Sequence, residues 1–369
     1  MSQWISSARW MTLVLGCVLS FAQLASAVEP SLSHQPLPAD LKCVPQTVMN
    51  LIHAPQVQKE LKLSSSQLSK FVPKLQELDA HWWRARIRPD DEQRRITAET
   101  EAKLFVELQN LAGPEAVVRL RQLELQAQGV RMLARPEMEA YLRLSSDQKL
   151  RLERIFSETD ALAAKTKTRE GQADEKAVSA LIAAKKAETE NGLKLLTSEQ
   201  KSSLQSAIGP LLETQKLERI YPLAPELIDS GSWIGNSVTL AELRGRVVLV
   251  HYYAFQCSNC QANFHIYNRW HKSLTEKGVA LIGIQTPETA SERDAAKVVT
   301  AAKKDGFEFP VLIDSDNANW DAWANTMWPT VYVIDKQGYV RYWWQGELNW
   351  QGATGDKKIE ELVARLLKE

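Results

Sequence analysis

The chain has 369 residues, with 45 lysines and arginines against 45 aspartates and glutamates, so its formal net charge is zero. Such a balance excludes the electropositive footprint that a nucleic acid or an anionic membrane surface demands. At more than twice the ~150 residues of a typical domain, the chain is expected to form two or three domains, each with room for its own core.

The first stretch, MSQWISSARWMTLVLGCVLSFAQLASA, carries one positive charge at Arg9, an apolar run from Trp10 to Leu24 and small residues at Ala25 and Ala27. It reads as a secretory signal peptide over residues 1–27, which makes the mature chain an exported, periplasmic or otherwise extracytoplasmic protein. The run falls short of the ~20 residues of a membrane span, which argues against an uncleaved anchor. Leu15-Gly16-Cys17 offers the alternative of a lipoprotein, with peripheral membrane association through a lipidated Cys17. Hydrophobicity, however, continues past that cysteine, where a lipoprotein turns polar.

Residues 28–220 are rich in Leu, Gln, Glu, Lys and Ala and poor in β-branched runs, a composition that predicts an α-helical region. PQVQKELKLSSSQL, from Pro55, aligns with PEMEAYLRLSSDQK, from Pro136, with Val57, Leu61 and Leu63 matched by Met138, Leu142 and Leu144. Two repeats of about eighty residues are the simplest account. Ser64 to Gln67, Ser145 to Gln148 and Thr197 to Gln200 are capping boxes, in which the hydroxyl takes the amide three residues on and the glutamine reaches back. Pro55, Pro114 and Pro136 sit where first-turn prolines are tolerated. In His81-Trp82-Trp83-Arg84-Ala85-Arg86 the aromatics are expected at a core edge with arginine stems lying over them. The charged residues 165–186 read as a solvated loop and helix face.

LSSSQ, LSSDQ and LTSEQ resemble the LTxxQ signature of small exported helical proteins, among them periplasmic stress chaperones and metal-responsive regulators. That resemblance implies a binding or scaffolding role for this half.

Prolines return in Tyr221-Pro222-Leu223-Ala224-Pro225, and residues 221–232 read as a linker. Beyond it short β-branched strands alternate with helices. Strands are expected at Arg246–Tyr253, Val279–Gln285, Phe309–Asp314, Thr330–Asp335 and Tyr339–Trp344, with helices at Cys260–Lys277, Ser291–Lys304 and Lys357–Leu367. This predicts an α/β domain over 233–369, a central mixed sheet flanked by helices. Gln337-Gly338 is a hairpin turn, so that edge is antiparallel.

Cys257-Ser258-Asn259-Cys260 follows the first of these strands and opens a helix. Its spacing suits a redox pair, a metal clip or a structural bond. A zinc site wants four ligands, and the sequence has no second CxxC or CxxH, so neither metal nor cofactor is expected. A bond closing four residues gains little chain entropy. At a helix N-terminus, unpaired amides favour a thiolate, which makes Cys257 the nucleophile and Cys260, one turn on, the resolving thiol. In an oxidising compartment the remaining Cys43 has no partner once Cys17 is removed and the pair closes on itself; a buried thiol, an intermolecular bridge and a lipid or redox handle all stay open, with burial the first expectation.

LRGRVVLVHYYAFQCSNC, from Leu243, and MWPTVYVIDKQGYVRY, from Met327, resemble the thioredoxin-like fold, in particular the exported TlpA-like thiol-disulfide oxidoreductases of the redoxin (AhpC-TSA) superfamily. The resemblance covers about Pro225 to Glu369, and the segment between Ile284 and Met327, including FPVLID, resembles that group's inserted helix and strand. It implies a redox-active centre acting on protein thiols and disulfides, in the reductase direction, with a membrane electron donor as a further partner. It also implies that Pro329 is a cis-proline holding an extended substrate beside Cys257, that Trp328 and Thr330 contact substrate, and that His251 stands in for a buried acid as proton shuttle. Glu288 is a lesser candidate for proton transfer.

Gln256, where thioredoxins commonly have tryptophan, and Ser258-Asn259, where they have Gly-Pro, depart from the pattern, so a redox potential does not transfer. Val250 and Ala254 occupy the places where a peroxiredoxin needs proline and a hydroxyl residue, which argues against peroxidase chemistry. The reading from another class is a binding or chaperone-like scaffold, in which the helical repeats engage a partner and the redox domain is structural.

Overall fold

The computed structural model describes residues 37, 38, 40–166, 175–214, 217 and 221–369; the expected signal peptide, Cys17 and part of the charged stretch 165–186 lie outside them. The chain divides into two compact units, Met1–Val72 with Arg88–Ile220, and Pro73–Ile87 with Tyr221–Glu369.

The first unit is built of helices: α1 (Val48–Leu51), α2 (Pro55–Glu60), the start of α3 (Ser65–Ala85), α4 (Asp90–Ala112), α5 (Pro114–Gln128), α6 (Pro136–Tyr141), α7 (Ser146–Lys165), α8 (Glu175–Lys194) and α9 (Ser198–Ile208). The two segments aligned in sequence fold alike. Each forms a one-turn helix with proline in its first turn, and each turns through a residue of positive φ, Lys62 at 54° and Arg143 at 50°. Each then enters a long helix through a closed capping box, Ser64 with Gln67 and Ser145 with Gln148. The third box, Thr197 with Gln200, opens α9 in the same way. An apolar cluster of Leu125, Leu133, Met138, Leu152, Phe156 and Leu204 fills one part of this unit. Another part is charged. Arg121, Glu124 and Arg135 are buried together, with Glu124 bridging the two guanidinium groups and Glu137 joining them from the edge.

The second unit is a six-stranded mixed sheet in the order β1-β4-β3-β2-β5-β6, formed by β1 (Trp233–Ile234), β2 (Val247–Tyr253), β3 (Val279–Gln285), β4 (Val311–Ile313), β5 (Thr330–Ile334) and β6 (Val340–Gln345). Strand β2 runs parallel to β3 and antiparallel to β5, and β6 folds back on β5 through the Gln337-Gly338 turn. Its central place explains why all seven residues of β2 are buried. The short strand β1, which the sequence pattern does not show, pairs antiparallel with β4. The helices are α10 (Ser258–Leu274), α11 (Ala295–Lys304), α12 (Ala318–Ala322) and α13 (Gly355–Leu366). A 3-10 turn over Ala290–Arg293 precedes α11, and the Asp294 carboxylate caps the helix by accepting from the amides of Ala296 and Lys297.

Pleating sorts the sheet residues into two cores. Leu249, Tyr253, Val331 and Val333 face Cys260, Phe264, Tyr267 and Trp270 of α10 and Ile359 and Val363 of α13. Val250, Tyr252, Tyr332 and Ile334 face the other way, where Trp83, Leu227, Leu240 and Trp323 cover them. Sequence composition groups Trp83 with the helical region, but packing places it in the sheet unit. The Trp83 ring meets Trp343 edge-on at 5.2 Å, and its Nε1 donates to the Trp323 carbonyl at 3.0 Å. The Arg86 guanidinium lies 3.9 Å from the Trp83 ring and donates to the carbonyls of Trp323 and Ala324. On the same segment Asp79 accepts from the Leu223 amide at 2.8 Å, and Gln76 donates to the Ala224 carbonyl at 2.9 Å. The residues after Tyr221 are likewise tied into this unit, with Ala224 donating to Gly338 and Val340 donating to Pro222.

Candidate active site

Strand β2 delivers the chain through Ala254-Phe255-Gln256 to Cys257, whose amide donates to the Ala254 carbonyl at 3.2 Å. Cys257 is the residue just before α10 and is half-buried, whereas Cys260 is fully buried one turn inside the helix. Both carry free thiols. The two positions give them opposite character. A hydrogen bond from Cys260 favours the Cys257 thiolate, the amides of Cys260 and Asn259 add to it against partial burial, and the thiol is held below its ordinary value. Burial, and then the bond to Cys257, pushes Cys260 strongly upward. The exposed carboxylate of Glu288 opposes ionisation of both.

The turn before β5 lies beside this pair, because Thr330 is in register with Tyr252 near the end of β2. The Trp328–Pro329 peptide is cis, and the Pro329 carbonyl accepts from the Gly346 amide at 2.8 Å. Trp328 is half-buried and packs on the core that holds Cys260, together with Cys257. Its Nε1 donates to the Thr286 carbonyl at 3.1 Å and its ring stacks on Trp320 at 3.9 Å. Thr330 is buried and its hydroxyl donates to the Met327 carbonyl at 2.7 Å, closing the turn from within. A cavity of about 320 Å³ is lined by Asn259, which lies between the two cysteines, and by Trp344, Gly346, Glu347 and Trp350.

His251 lies on the same sheet face as Cys260's core, but its surroundings are aromatic. Its ring stacks on Tyr267 at 4.1 Å and on Tyr253 at 5.2 Å, with Phe307 and Phe309 edge-on. Neither ring nitrogen has a hydrogen-bond partner among the described residues, and burial alone drives its pKa down to about 3. The ring is therefore neutral at physiological pH, and the structure shows no bond that would carry a proton from it to either cysteine.

Sequence reasoning passed over Glu292. This carboxylate is completely buried and gathers three amides, from Gln256 at 2.7 Å and from Glu288 and Thr289 at 2.8 Å each. Thr289-x-x-Glu292 is a capping box of the kind that stands out in the helical half, so a signal for it existed. Among the described residues no group of three or more His, Cys, Asp and Glu side chains is placed to hold a metal ion.

The strand order, a CxxC at the helix that follows the central strand and a cis-proline before the antiparallel strand β5 together define a thioredoxin-like domain. Residues 224–343 match the AhpC/TSA family. The particular relatives agree with that class. Protein DipZ of Mycobacterium bovis is 34% identical over 148 residues, 39% of this chain and 20% of that protein. Thiol-disulfide oxidoreductase YkuV of Bacillus subtilis is 27% identical over 146 residues, 39% of this chain and 94% of that protein. The solution structure of a thioredoxin-like protein in its oxidised form is 26% identical and covers 40% of this chain and 96% of that one, at a TM-score of 0.36. The chain thus spans a fifth of the length of DipZ and nearly all of YkuV.

Proposed function

We propose that the protein is an exported thiol-disulfide oxidoreductase whose C-terminal unit reduces disulfides in polypeptides. The observation that carries this reading is the split between the two thiols: Cys257 accessible and favoured as thiolate, Cys260 buried and held protonated. Relatives named as thiol-disulfide oxidoreductases support the class.

In the forward direction the Cys257 thiolate attacks one sulfur of a substrate disulfide. A mixed disulfide forms, and the other substrate sulfur leaves as a thiolate that takes a proton from water. Cys260 then attacks the Cys257 sulfur as its proton passes to the departing substrate sulfur, so the second substrate thiol is released and a Cys257–Cys260 disulfide remains. Two electrons have passed to the substrate, and a donor must return them. We assign that supply to an external dithiol donor at the membrane, as the resemblance to exported reductases implies. Pro329 and Trp328 line the approach to Cys257, and the cavity beside Asn259 gives room for a substrate side chain. His251 serves as packing for the strand under this reading, since its nitrogens contact no thiol-bound partner.

The test is exchange with a disulfide-bonded peptide. Wild-type protein should reduce it when supplied with dithiothreitol, Cys257→Ser should not react, and Cys260→Ser should trap a mixed disulfide on Cys257. The midpoint of the pair against defined glutathione or dithiothreitol ratios gives the direction: a value near the thioredoxin end supports the reductase, and one near the oxidising end overturns it. If the pair does not exchange at all, the helical unit's binding role takes its place.

A further inference from the structure

The residue in front of the nucleophile is fastened to a loop that is distant in sequence. The Gln256 amide donates to Glu292 Oε1 at 2.7 Å, and the Gln256 side-chain oxygen accepts from the hydroxyls of Thr289 and Ser291, both at 2.7 Å. The second oxygen of Glu292 takes the amides of Glu288 and Thr289. A capping box accounts only for the Thr289 amide. The bonds to Gln256 and to the Glu288 amide go beyond what the short 3-10 turn needs. Hydrogen bonds to a buried carboxylate are charge-assisted and among the stronger kinds, so this arrangement fixes positions.

Its geometric effect is specific. One carboxylate holds the backbone on both sides of the site, at the residue preceding Cys257 and at Glu288. The Glu288 carboxylate is in turn the charged group, outside the cysteine pair, that acts on both thiols. We propose that Glu292 is a positioning residue for thiol exchange: by tying the Gln256 and Glu288 amides to one point it sets the separation of the Glu288 carboxylate from Cys257, and with it the reactivity of the pair. Gln256, where thioredoxins commonly carry tryptophan, is the outer half of the same latch. The proposal deepens the oxidoreductase reading and rests on it for its purpose, though the coupling itself can be measured without turnover.

Among the described residues, the side chains that act on the Cys257 thiol are Cys260, on the helix that Cys257 opens, and Glu288, from the loop after β3. The turn of residues 326–330 contributes no charge. Removing Glu288's charge should therefore register directly in the ionisation of Cys257.

The experiment is a double-mutant cycle read by thiolate absorbance in the full chain carrying Cys260→Ser. Glu288→Gln should lower the Cys257 midpoint by roughly half a pH unit, a modest effect because the carboxylate is exposed. In the Glu292→Gln background, whose amide nitrogen cannot accept from a backbone N–H, that response should fall by at least half. An undiminished response in folded Glu292→Gln protein overturns the proposal. Should that variant not fold, Glu292→Asp keeps the buried charge but is one methylene too short to hold the Gln256 amide and the loop amides together, and an undiminished Glu288→Gln response in that background overturns the proposal equally. Exchange activity without coupling sinks the latch alone. Coupling without exchange keeps the latch and sinks the oxidoreductase reading.

Discussion

In the helical unit the deeply buried charged side chains are spent on one another. Arg135 meets Glu124 at 2.7 Å and Glu137 at 2.5 Å, Arg121 joins the same two carboxylates, and Gln128 bonds both Arg135 and Glu124. In the sheet unit the equally buried His251, Tyr253 and Gln285 have side-chain polar atoms with no hydrogen-bond partner among the described residues. These three lie on one sheet face, His251 and Tyr253 two apart on β2 and Gln285 in register with Tyr253, and that face packs against Cys260. A paired interior polar network specifies a fold, whereas unpaired groups cost stability and cluster where chemistry is done. The helical unit has unpaired atoms too, Thr47 Oγ1 and Arg121 Nε among the described residues, so what sets the sheet unit apart is that three such side chains share the face that packs against Cys260.

Breaking the paired network should produce the largest effect. Glu124→Ala leaves two buried guanidinium groups with only the carboxylate of Glu137 to share, and unfolding of the helical unit in urea should lose ~3–5 kcal/mol. Far-ultraviolet dichroism reads this loss, and the reduction midpoint of the dithiol should stay where it is in any molecule still folded. A coincident change in both would erase the contrast between the units. Trp83→Ala should cost about 3 kcal/mol, by emptying a slot among Trp323, Tyr332 and Trp343. Although Trp83 belongs by composition to the helical half, this loss should appear in the near-ultraviolet signal of the sheet unit. If it appears only in the helical transition, the assignment of residues 73–87 to the sheet is wrong.

That substitution marks the boundary of what the sequence shows. The strands, the hairpin at Gln337-Gly338 and the dithiol at a helix start rest on local signals, and local signals survive translation into structure, whereas the cis bond at Pro329 is expected from the resemblance to the thioredoxin-like fold. Trp83 is different, because helix periodicity records that one face is buried but not what covers it. Glu292 fails for a related reason: its capping box is readable, while its bond to the Gln256 amide, thirty-six residues away, exists only because the fold brings the two near. The shuttle role for His251 is implied by the resemblance, which sets it where thioredoxin has a buried acid. Position placed the ring correctly on the Cys260 face but said nothing of the aromatic side chains that enclose it.

Titration separates the units next. His251 has its pKa depressed from an ordinary 6.5 to about 3 by burial, so the folded state holds the neutral ring. Its contribution is present above pH 6.5 and is lost as pH falls towards 3, giving acid destabilisation of the sheet unit. His251→Phe should flatten that limb while leaving exchange at pH 7 within about twofold, as expected of a residue that packs without moving protons. Glu101 in the helical unit behaves in the opposite sense. Burial, with Glu124 nearby, raises it from 4.5 to about 8. Stability is full below pH 4.5 and declines as pH rises through 8, so Glu101→Gln should remove an alkaline loss confined to the helical unit.

The smallest expected change tests whether the capping boxes of Ser145 and Thr197 are equivalent. Ser145→Ala removes one acceptor for the Gln148 amide and should cost ~1 kcal/mol. Thr197→Ala should match it, since its bond to the Gln200 amide has the same 3.2 Å length. The glutamines are not simple caps, however. Gln148 also donates to the Leu195 carbonyl and Gln200 to the Leu142 carbonyl, and the two side chains bond each other at 2.8 Å. Each box therefore fastens the entrance of one helix to the chain before the other. Gln148→Ala should exceed Ser145→Ala by roughly another 1 kcal/mol, and the double variant Gln148→Ala with Gln200→Ala should cost less than the sum of its parts. Strict additivity would mean that the two helix entrances are independent caps, and that the tie between them contributes nothing to holding the helical unit together.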